Sequence, residues 1–229
     1  MLEEGLSYPI EGDSALGRIV IGGLLGFGSF LIIPVFALMG YLVWVLGGAA
    51  RGEEEPPAFE NWGEMIVDGL KATAVALVYG ILPFALVFVS IFVAAGGASI
   101  GDSAGGILGG LGLLGILVSL LAMLVLYYLI PAALTNMALE DSFGAAFDFG
   151  TIKQVILTGD YLVAWLIPFV LAAVMNVVVF ALAVTIVGLI VVPFLQFYVQ
   201  VAAFYMFGAA FGKVADVPGA ARDDGAAAI

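Results

Sequence analysis

Four long stretches without an acidic or basic side chain dominate the chain, at residues 19–50, 72–100, 103–139 and 161–212. A membrane-spanning helix needs roughly 20 apolar residues, so each of the first three stretches fits one span and the fourth fits two. Unpaired backbone amides are unfavourable in hydrocarbon, which leaves helices or a closed barrel, and the alternating polar positions of barrel strands are absent. The pattern predicts an all-α, polytopic transmembrane helical bundle with about five spanning helices and additional interfacial amphipathic helices.

The same pattern sets the expected boundaries within a single membrane domain, residues 1–229. They are an N-terminal surface segment at 1–17, spans at 18–50, 72–95, 107–137, 161–184 and 189–212, a loop with an interfacial helix at 51–71, a Gly-rich loop at 96–106, a second loop with an interfacial helix at 138–160, and a polar tail at 213–229. Glycines and Pro34 in the first span permit a kink, and a re-entrant break is the alternative.

The loop after the first span contains an amphipathic segment. Glu60, Glu64 and Asp68 fall at i, i+4 and i+8, and apolar side chains repeat at helical spacing on the opposite face. An indole such as that of Trp62 suits the depth of the lipid headgroups. The predicted interfacial helix carries Phe59, Glu60, Trp62, Glu64, Asp68 and Lys71. Its carboxylate stripe is interpreted as a solvated face, with a cation site as the alternative.

Positional similarities suggest an internal repeat of two units, each made of a helix, an interfacial helix and a second helix. Leu82-Pro83-Phe84 precedes Ile167-Pro168-Phe169 by 85 residues, and Gly22-Gly23 precedes Gly109-Gly110 by 87. Chance similarity between apolar, low-complexity segments is the alternative.

Glycines and amides are the notable residues inside the spans. The pairs Gly105-Gly106 and Gly109-Gly110 predict close helix packing, and no Lys-Ser or Lys-Thr follows them as it would in a nucleotide-binding loop. Gln196 and Gln200 lie one turn apart and form, with Asn176, a candidate polar cleft. The alternative for these amides is interhelical hydrogen bonding, worth about 1 kcal/mol for each bond.

Composition narrows the chemistry. A mean hydropathy of +1.22 excludes a soluble domain. The chain has no cysteine and no histidine, which removes thiolate nucleophiles, the commonest proton shuttle and the usual zinc ligands. Basic patches for nucleic acid are absent. We therefore expect no enzymatic activity, no catalytic, cofactor-binding or metal-binding residues, no cofactor and no nucleic-acid partner.

The charge balance is strongly acidic, with 18 Asp and Glu against 6 Lys and Arg and a net charge of −12. Concentrated salt shortens the Debye length to ~3 Å and screens the repulsion between acidic loops, so we interpret the chain as a halophile's protein. An acidic surface for a partner is the alternative. The melting temperature should be lower in dilute than in molar KCl.

The few basic residues predict the orientation, because positively charged short loops stay cytoplasmic. Five spans place Arg51, Lys71, Lys153, Lys213 and Arg222 on one side. This arrangement predicts the N-terminus outside and the C-terminus cytoplasmic. Six segments, with the first stretch folded back on itself, would instead put all six basic residues inside. The acidic N-terminal segment lacks the positive region of a cleavable signal peptide.

Residues 40–83, with LSYPIEGD upstream and IGGLL at 21–25, resemble a large family of archaeal integral membrane proteins. That family is abundant in halophiles and is described only as a domain of unknown function. The most specific part of the resemblance is EEPPxFxxWGxxxxDGLK, at residues 54–71. Family sequences often carry a basic residue where Trp44 stands. The resemblance implies a multi-pass protein of the cell membrane and carries over no catalytic residue.

Three function classes remain. The first is an accessory or scaffold protein whose partners are membrane lipids, further copies of itself or other membrane subunits. The second is a carrier or channel for a neutral or lipid-like solute, for which Asn176, Gln196 and Gln200 would supply a polar path. A membrane enzyme would need convergent carboxylates and ranks third.

Overall fold

The computed structural model describes residues 2–101, 103–218 and 220, and this part of the chain contains eight α-helices, three short 3-10 segments and no strand. The helices are α1 (Leu2–Ser7), α2 (Ala15–Phe27), α3 (Ile32–Ala50), α4 (Trp62–Ile100), α5 (Ser103–Glu140), α6 (Phe149–Ile156), α7 (Gly159–Ala183) and α8 (Ile186–Val214). Five of them, α3, α4, α5, α7 and α8, are long and apolar enough to cross a membrane. The predicted all-α fold with about five candidate spans is confirmed.

The chain divides into two compact units, Met1–Thr73 with Pro131–Ile229, and Ala74–Ile130. The core of the first unit lies where α3, the first turns of α4 and the middle of α8 meet. Its buried members include Tyr41, Val45, Met65 and Phe197.

The first predicted span, residues 18–50, is a helical hairpin rather than one helix. Along α2, Gly22 faces the Phe197 ring, and one turn later Gly26 faces Pro193. As the residue number rises along α2, the number of the contacted residue on α8 falls from 197 to 193. Helices α2 and α8 are therefore antiparallel.

Helix α3 runs in the opposite direction to α2. The Tyr41 ring lies 5.4 Å from the Phe197 ring between centroids, and further along both helices Gly212 packs on the backbone of Ala50. Helices α3 and α8 are therefore parallel, and α2 and α3 form an antiparallel pair.

The prediction of one continuous span was wrong because the glycines and Pro34 produce a turn instead of a kink. A 3-10 segment, Gly28–Phe30, is followed by Leu31 in an extended conformation with ψ 145°. Pro34 then occupies the third position of α3, where its missing N–H would have had no intrahelical acceptor.

The hairpin returns the chain to the side of its N-terminal segment. The Tyr8 hydroxyl donates a hydrogen bond to the Glu55 carbonyl oxygen at 3.1 Å, and the Tyr8 ring stacks on Tyr205 of α8 at 4.1 Å between centroids. The N-terminal segment, the loop after α3 and the last turns of α8 thus lie at one end of the first unit, which we call the loop end. The orientation of the termini relative to the membrane stays a prediction.

The predicted loop at 51–71 and span at 72–95 also need correction. Helix α4 is continuous from Trp62 to Ile100. Gly69 lies near the predicted start of the span and Gly96 follows its predicted end, but a single glycine weakens a helix without ending it. Phe59 and Glu60 precede it, and Asn61 has a positive φ of 50°. The predicted Gly-rich loop at 96–106 is mostly helical, since α5 begins at Ser103 and only a turn with Gly101 at φ 73° intervenes in the described residues.

In the second unit, α4 and α5 pack through glycines, but not through all of those predicted. A Cβ on Gly105 would collide with the Gly97 carbonyl oxygen, and a Cβ on Gly97 would collide with the Gly109 backbone. An added Cβ would meet no described atom within 4 Å at Gly106, Gly109 or Gly110, so Gly109 joins the contact only through its backbone. Gly112 and Gly115 complete the contact instead, against Ala94 and Ser90.

The remaining segments differ from the predicted boundaries by a few residues. The predicted loop at 138–160 holds a 3-10 segment, Phe143–Phe147, and the helix α6. The interfacial position of that helix stays a prediction. Helices α7 and α8 form a hairpin joined by residues 184–185. Of the predicted tail at 213–229, residues 219 and 221–229, with Arg222, lie outside the described residues. The internal repeat stays a prediction.

Candidate functional site

A cavity of about 330 Å³ opens where α3 ends, α4 begins and α5 ends. We call it the charged pocket. Its charged lining residues are Arg51, Glu53, Glu64, Asp68, Lys71 and Asp141, and Trp44 contributes an indole. The pocket therefore combines side chains of both signs at the loop end of the first unit.

Asp68 is the fully paired carboxylate of this pocket. Its Oδ2 accepts a hydrogen bond from Trp44 Nε1 at 2.9 Å, and its Oδ1 accepts one from Lys71 Nζ at 2.8 Å. Asp68 and Lys71 lie at i and i+3 on α4, a spacing that places them on the same face. These bonds fix the indole of Trp44 and offset one of the two cations.

Arg51 and Glu53 form a second, more exposed pair directly after α3. Arg51 Nε lies 2.9 Å from Glu53 Oε1, and both side chains are nearly half exposed, so the pair contributes little to stability. Helix α3 ends in a Schellman motif in which Gly52 has a positive φ of 77° and the Glu53 N–H donates to the Gly48 carbonyl oxygen at 2.9 Å.

Helix α5 ends in the same way, with an acidic residue at the position of the glycine. Asp141 has φ 44°, and the Ser142 N–H donates to the Met137 carbonyl oxygen at 3.3 Å. Asp141 and Glu64 make no hydrogen bond or ion pair within the part of the chain that the structure describes. Neither carboxylate has a hydrogen-bonded partner there, and both interact with Lys71 through longer-range electrostatic attraction.

The structure divides the residues of the predicted interfacial helix into two groups. Glu64, Asp68 and Lys71 line the charged pocket. Phe59 stacks between Tyr41 and Trp62 instead, at 4.2 and 5.7 Å between ring centroids. Glu60, Phe59 and Trp62 do not line this pocket.

Sequence reasoning missed Trp44, Arg51 and Asp141 because they come from other elements. The available signal was positional. Arg51 and Asp141 each directly follow the end of a long apolar helix. Charged residues that end neighbouring helices at the same side of a bundle are brought together by the fold.

The second site contains the three amides grouped from the sequence, and we call it the amide cleft. Asn176, Gln196 and Gln200 line a cavity of about 230 Å³ between α7 and α8. Gln196 and Gln200 also line a smaller cavity of about 150 Å³, on the side of Gly26 and Ser29. The cleft is thus lined by amides from both helices of the hairpin.

The amides of the cleft are not bonded to one another. Asn176 Nδ2 donates to the Ala172 carbonyl oxygen of its own helix at 2.8 Å. The side chains of Gln196 and Gln200 have no hydrogen-bond partner among the described residues. Asn176 and Gln196 are exposed on the surface of the chain. Among the described residues these amides therefore make no interhelical hydrogen bond, which was the alternative interpretation.

Within the described ranges, no group of three or more Asp, Glu, His or Cys side chains is arranged to hold a metal ion.

Comparisons with known proteins identify a family but no activity. No curated protein and no solved structure matches the chain. One family model, described as a protein of unknown function (DUF4013), matches residues 27–184. The predicted similarity to a domain of unknown function is confirmed, and since the match covers well over half of the 229 residues, the chain belongs to the DUF4013 family.

Proposed function

We propose that the protein is a non-enzymatic accessory or scaffold component of the cell membrane, which assembles with further copies of itself or with other membrane subunits and is surrounded by lipid. The observation that carries this proposal is the amide cleft. Asn176 and Gln196 are exposed on α7 and α8, and Gln200 lies half-buried beside them, at a depth where water is scarce.

The depth follows from helix geometry. At 1.5 Å per residue, Gln196 lies about 15 Å along α8 from Ile186, near the middle of a hydrocarbon core that is about 30 Å thick. An amide without a partner in hydrocarbon loses its hydrogen bonds to water and gains none in return. Each side-chain amide has N–H donors and a carbonyl oxygen acceptor, so an amide on a neighbouring subunit can pair with it. Such a bond contributes roughly 1 kcal/mol in a membrane.

The apolar surface of α7 supports the same proposal. Only 6% of its most apolar 18 residues are buried by the chain itself. Lipid or other subunits must cover this surface, and a polar group within it favours a subunit at that position.

The direct test is the double substitution Gln196→Leu with Gln200→Leu, compared with Val191→Leu, a lipid-facing apolar exchange on the same helix. The stoichiometry of gently extracted protein should fall in the double variant and stay unchanged in Val191→Leu. An unchanged melting temperature would show that the fold is intact. Equal stoichiometry in all three proteins would contradict the proposal.

A carrier for a neutral solute is the second candidate, and one observation favours it. Gln196 and Gln200 line cavities on two sides of α8, so a solute could pass from one cavity to the other along their amides. Flux of small neutral solutes into liposomes that contain the protein, abolished by the same double substitution, would support this candidate. Absence of flux together with a stable assembly would exclude it in favour of the scaffold.

The orientation proposed for the protein puts the loop end in the cytoplasm. Arg18, Arg51, Lys71 and Lys213 all belong to segments at this end, and Lys153 lies on α6, which packs against α7 and α8. The positive-inside rule then favours cytoplasmic N- and C-terminal segments.

A further inference from the structure

We propose that the charged pocket binds a zwitterion that carries a primary ammonium and a phosphate, either as a free small molecule or as a lipid headgroup. This site is independent of the amide cleft and of the proposed assembly. Its cavity of about 330 Å³ is in the size range of small-molecule pockets.

The cationic wall of the pocket is available to an anionic group. Arg51 uses Nε in its ion pair with Glu53, and its two terminal nitrogens have no partner among the described residues. A guanidinium edge with free N–H groups matches the geometry of a phosphate. Lys71 gives one N–H to Asp68 and has further donors on its ammonium group.

The anionic wall is available to an ammonium group. Glu64 on α4 and Asp141 after α5 line the same cavity, and within the described residues neither makes a hydrogen bond or ion pair. Lys71, which is already bonded to Asp68, attracts both only at longer range. The C-terminal end of α5, which immediately precedes Asp141, adds the negative end of a helix dipole. Trp44 provides an aromatic ring in the same wall, and such rings attract ammonium groups.

Ligands of one sign fit this pocket less well than a zwitterion. A simple anion would satisfy Arg51 but would be repelled by Glu64 and Asp141. A metal ion would need a group of carboxylates that the described residues do not provide. A ligand with both charges satisfies both walls.

The backbone conformation of Asp141 allows a substitution that removes the carboxylate without destabilising the fold. Asp141 occupies the left-handed position that glycine fills at the end of α3, as Gly52. Asp141→Gly removes the carboxylate and relieves the backbone, so the variant should fold with an unchanged or higher melting temperature.

The experiment measures binding of O-phosphoethanolamine to the full-length protein in detergent by calorimetry. The dissociation constant should rise at least tenfold in Asp141→Gly and in Arg51→Gln. Glu60→Gln is the matched control, because Glu60 precedes α4 and does not line the pocket. This variant should bind as the wild type does. Inorganic phosphate alone and ethanolamine alone should each bind at least tenfold more weakly than the zwitterion.

A second arm identifies the source of the ligand. If the site binds a lipid headgroup, wild-type protein in nanodiscs of mixed phosphatidylethanolamine and phosphatidylglycerol should retain phosphatidylethanolamine selectively. Asp141→Gly should lose this selectivity. Binding of free O-phosphoethanolamine without lipid selectivity would identify a soluble zwitterion. The proposal is overturned if neither probe binds, or if a well-folded Asp141→Gly binds both as the wild type does.

Discussion

At the residue scale, two glycines set the distance between α3 and α4. A Cβ on Gly40 would collide with the Met65 carbonyl oxygen, and a Cβ on Gly69 would collide with the Phe36 carbonyl oxygen. Both obstacles are backbone atoms, which cannot rotate away as a side chain can. This close contact keeps Trp44 of α3 within hydrogen-bond distance of Asp68 of α4, and so maintains one wall of the charged pocket.

We therefore expect Gly69→Ala to lower the free energy of unfolding by roughly 1–3 kcal/mol, the usual effect of forcing extra atoms into a packed contact. Gly63→Ala is the matched control, because Gly63 lies on the same helix with no atom near an added Cβ. It should be neutral or stabilising by up to about 1 kcal/mol. Thermal unfolding in detergent measures both, and equal melting temperatures for the two variants would show that the helices do not meet at Gly69.

At the element scale, the short helix α6 depends on one capping side chain. Asp148 Oδ1 accepts the Gly150 N–H at 2.9 Å, and Asp148 Oδ2 accepts the Thr151 hydroxyl at 2.8 Å. The Thr151 hydroxyl, followed by the backbone N–H groups of Thr151 and Gly150, holds the pKa of the Asp148 carboxyl below its ordinary value of 3.8. Ionised Asp148 therefore stabilises the folded state.

The lowered pKa makes this contribution depend on pH in a defined direction. It is fully present above the unfolded-state pKa of about 4 and is lost as the pH falls through the folded-state pKa. Asp148→Asn should lower the melting temperature slightly at pH 7, and its difference from the wild type should shrink below about pH 4. Thr151→Val keeps the charge but removes the largest cause of the shift, so its pH dependence should be intermediate. A constant difference between pH 3 and 7 would argue against this cap.

The helical elements were largely predictable from the sequence, whereas the hairpin at residues 28–31 was not. Uncharged length alone indicates a membrane helix, because hydrocarbon leaves the backbone few alternatives. A kink and a turn have the same local signals, namely Gly28 and Pro34. The choice between them depends on Gly22 and Phe197, which meet only in the folded chain.

The amide cleft and the charged pocket differ in how far the sequence predicts them. Asn176, Gln196 and Gln200 could be grouped because amides are rare in apolar helices, and the fold places them around one cavity. Of the charged pocket, the sequence grouped only Glu64, Asp68 and Lys71, which lie on one helix. Arg51 and Asp141 join it from the ends of α3 and α5, and sequence alone does not show which helix ends are neighbours.

At the scale of the whole molecule, we propose that the α2–α3 hairpin places both terminal segments on one side of the membrane. The chain has no native cysteine, so single substitutions give clean labelling sites. With an impermeant thiol reagent, Asp13→Cys and Ala215→Cys should be protected in intact cells and labelled after permeabilisation. Val184→Cys, between α7 and α8 at the far end of α8, should be labelled in intact cells. Labelling of Asp13→Cys but not of Ala215→Cys in intact cells would restore the five-span topology.

The central claim is that this protein works as part of an assembly, through amides that face hydrocarbon. Native mass spectrometry after gentle extraction at molar salt tests it most directly, because the salt screens the net charge of −12 that would otherwise drive subunits apart. We expect several copies of the chain, or a stoichiometric second polypeptide, in the wild type and in Val191→Leu, and dissociation when Gln196 and Gln200 are both leucine. A lone chain from wild-type membranes, or an assembly that is insensitive to both glutamines, would contradict the claim.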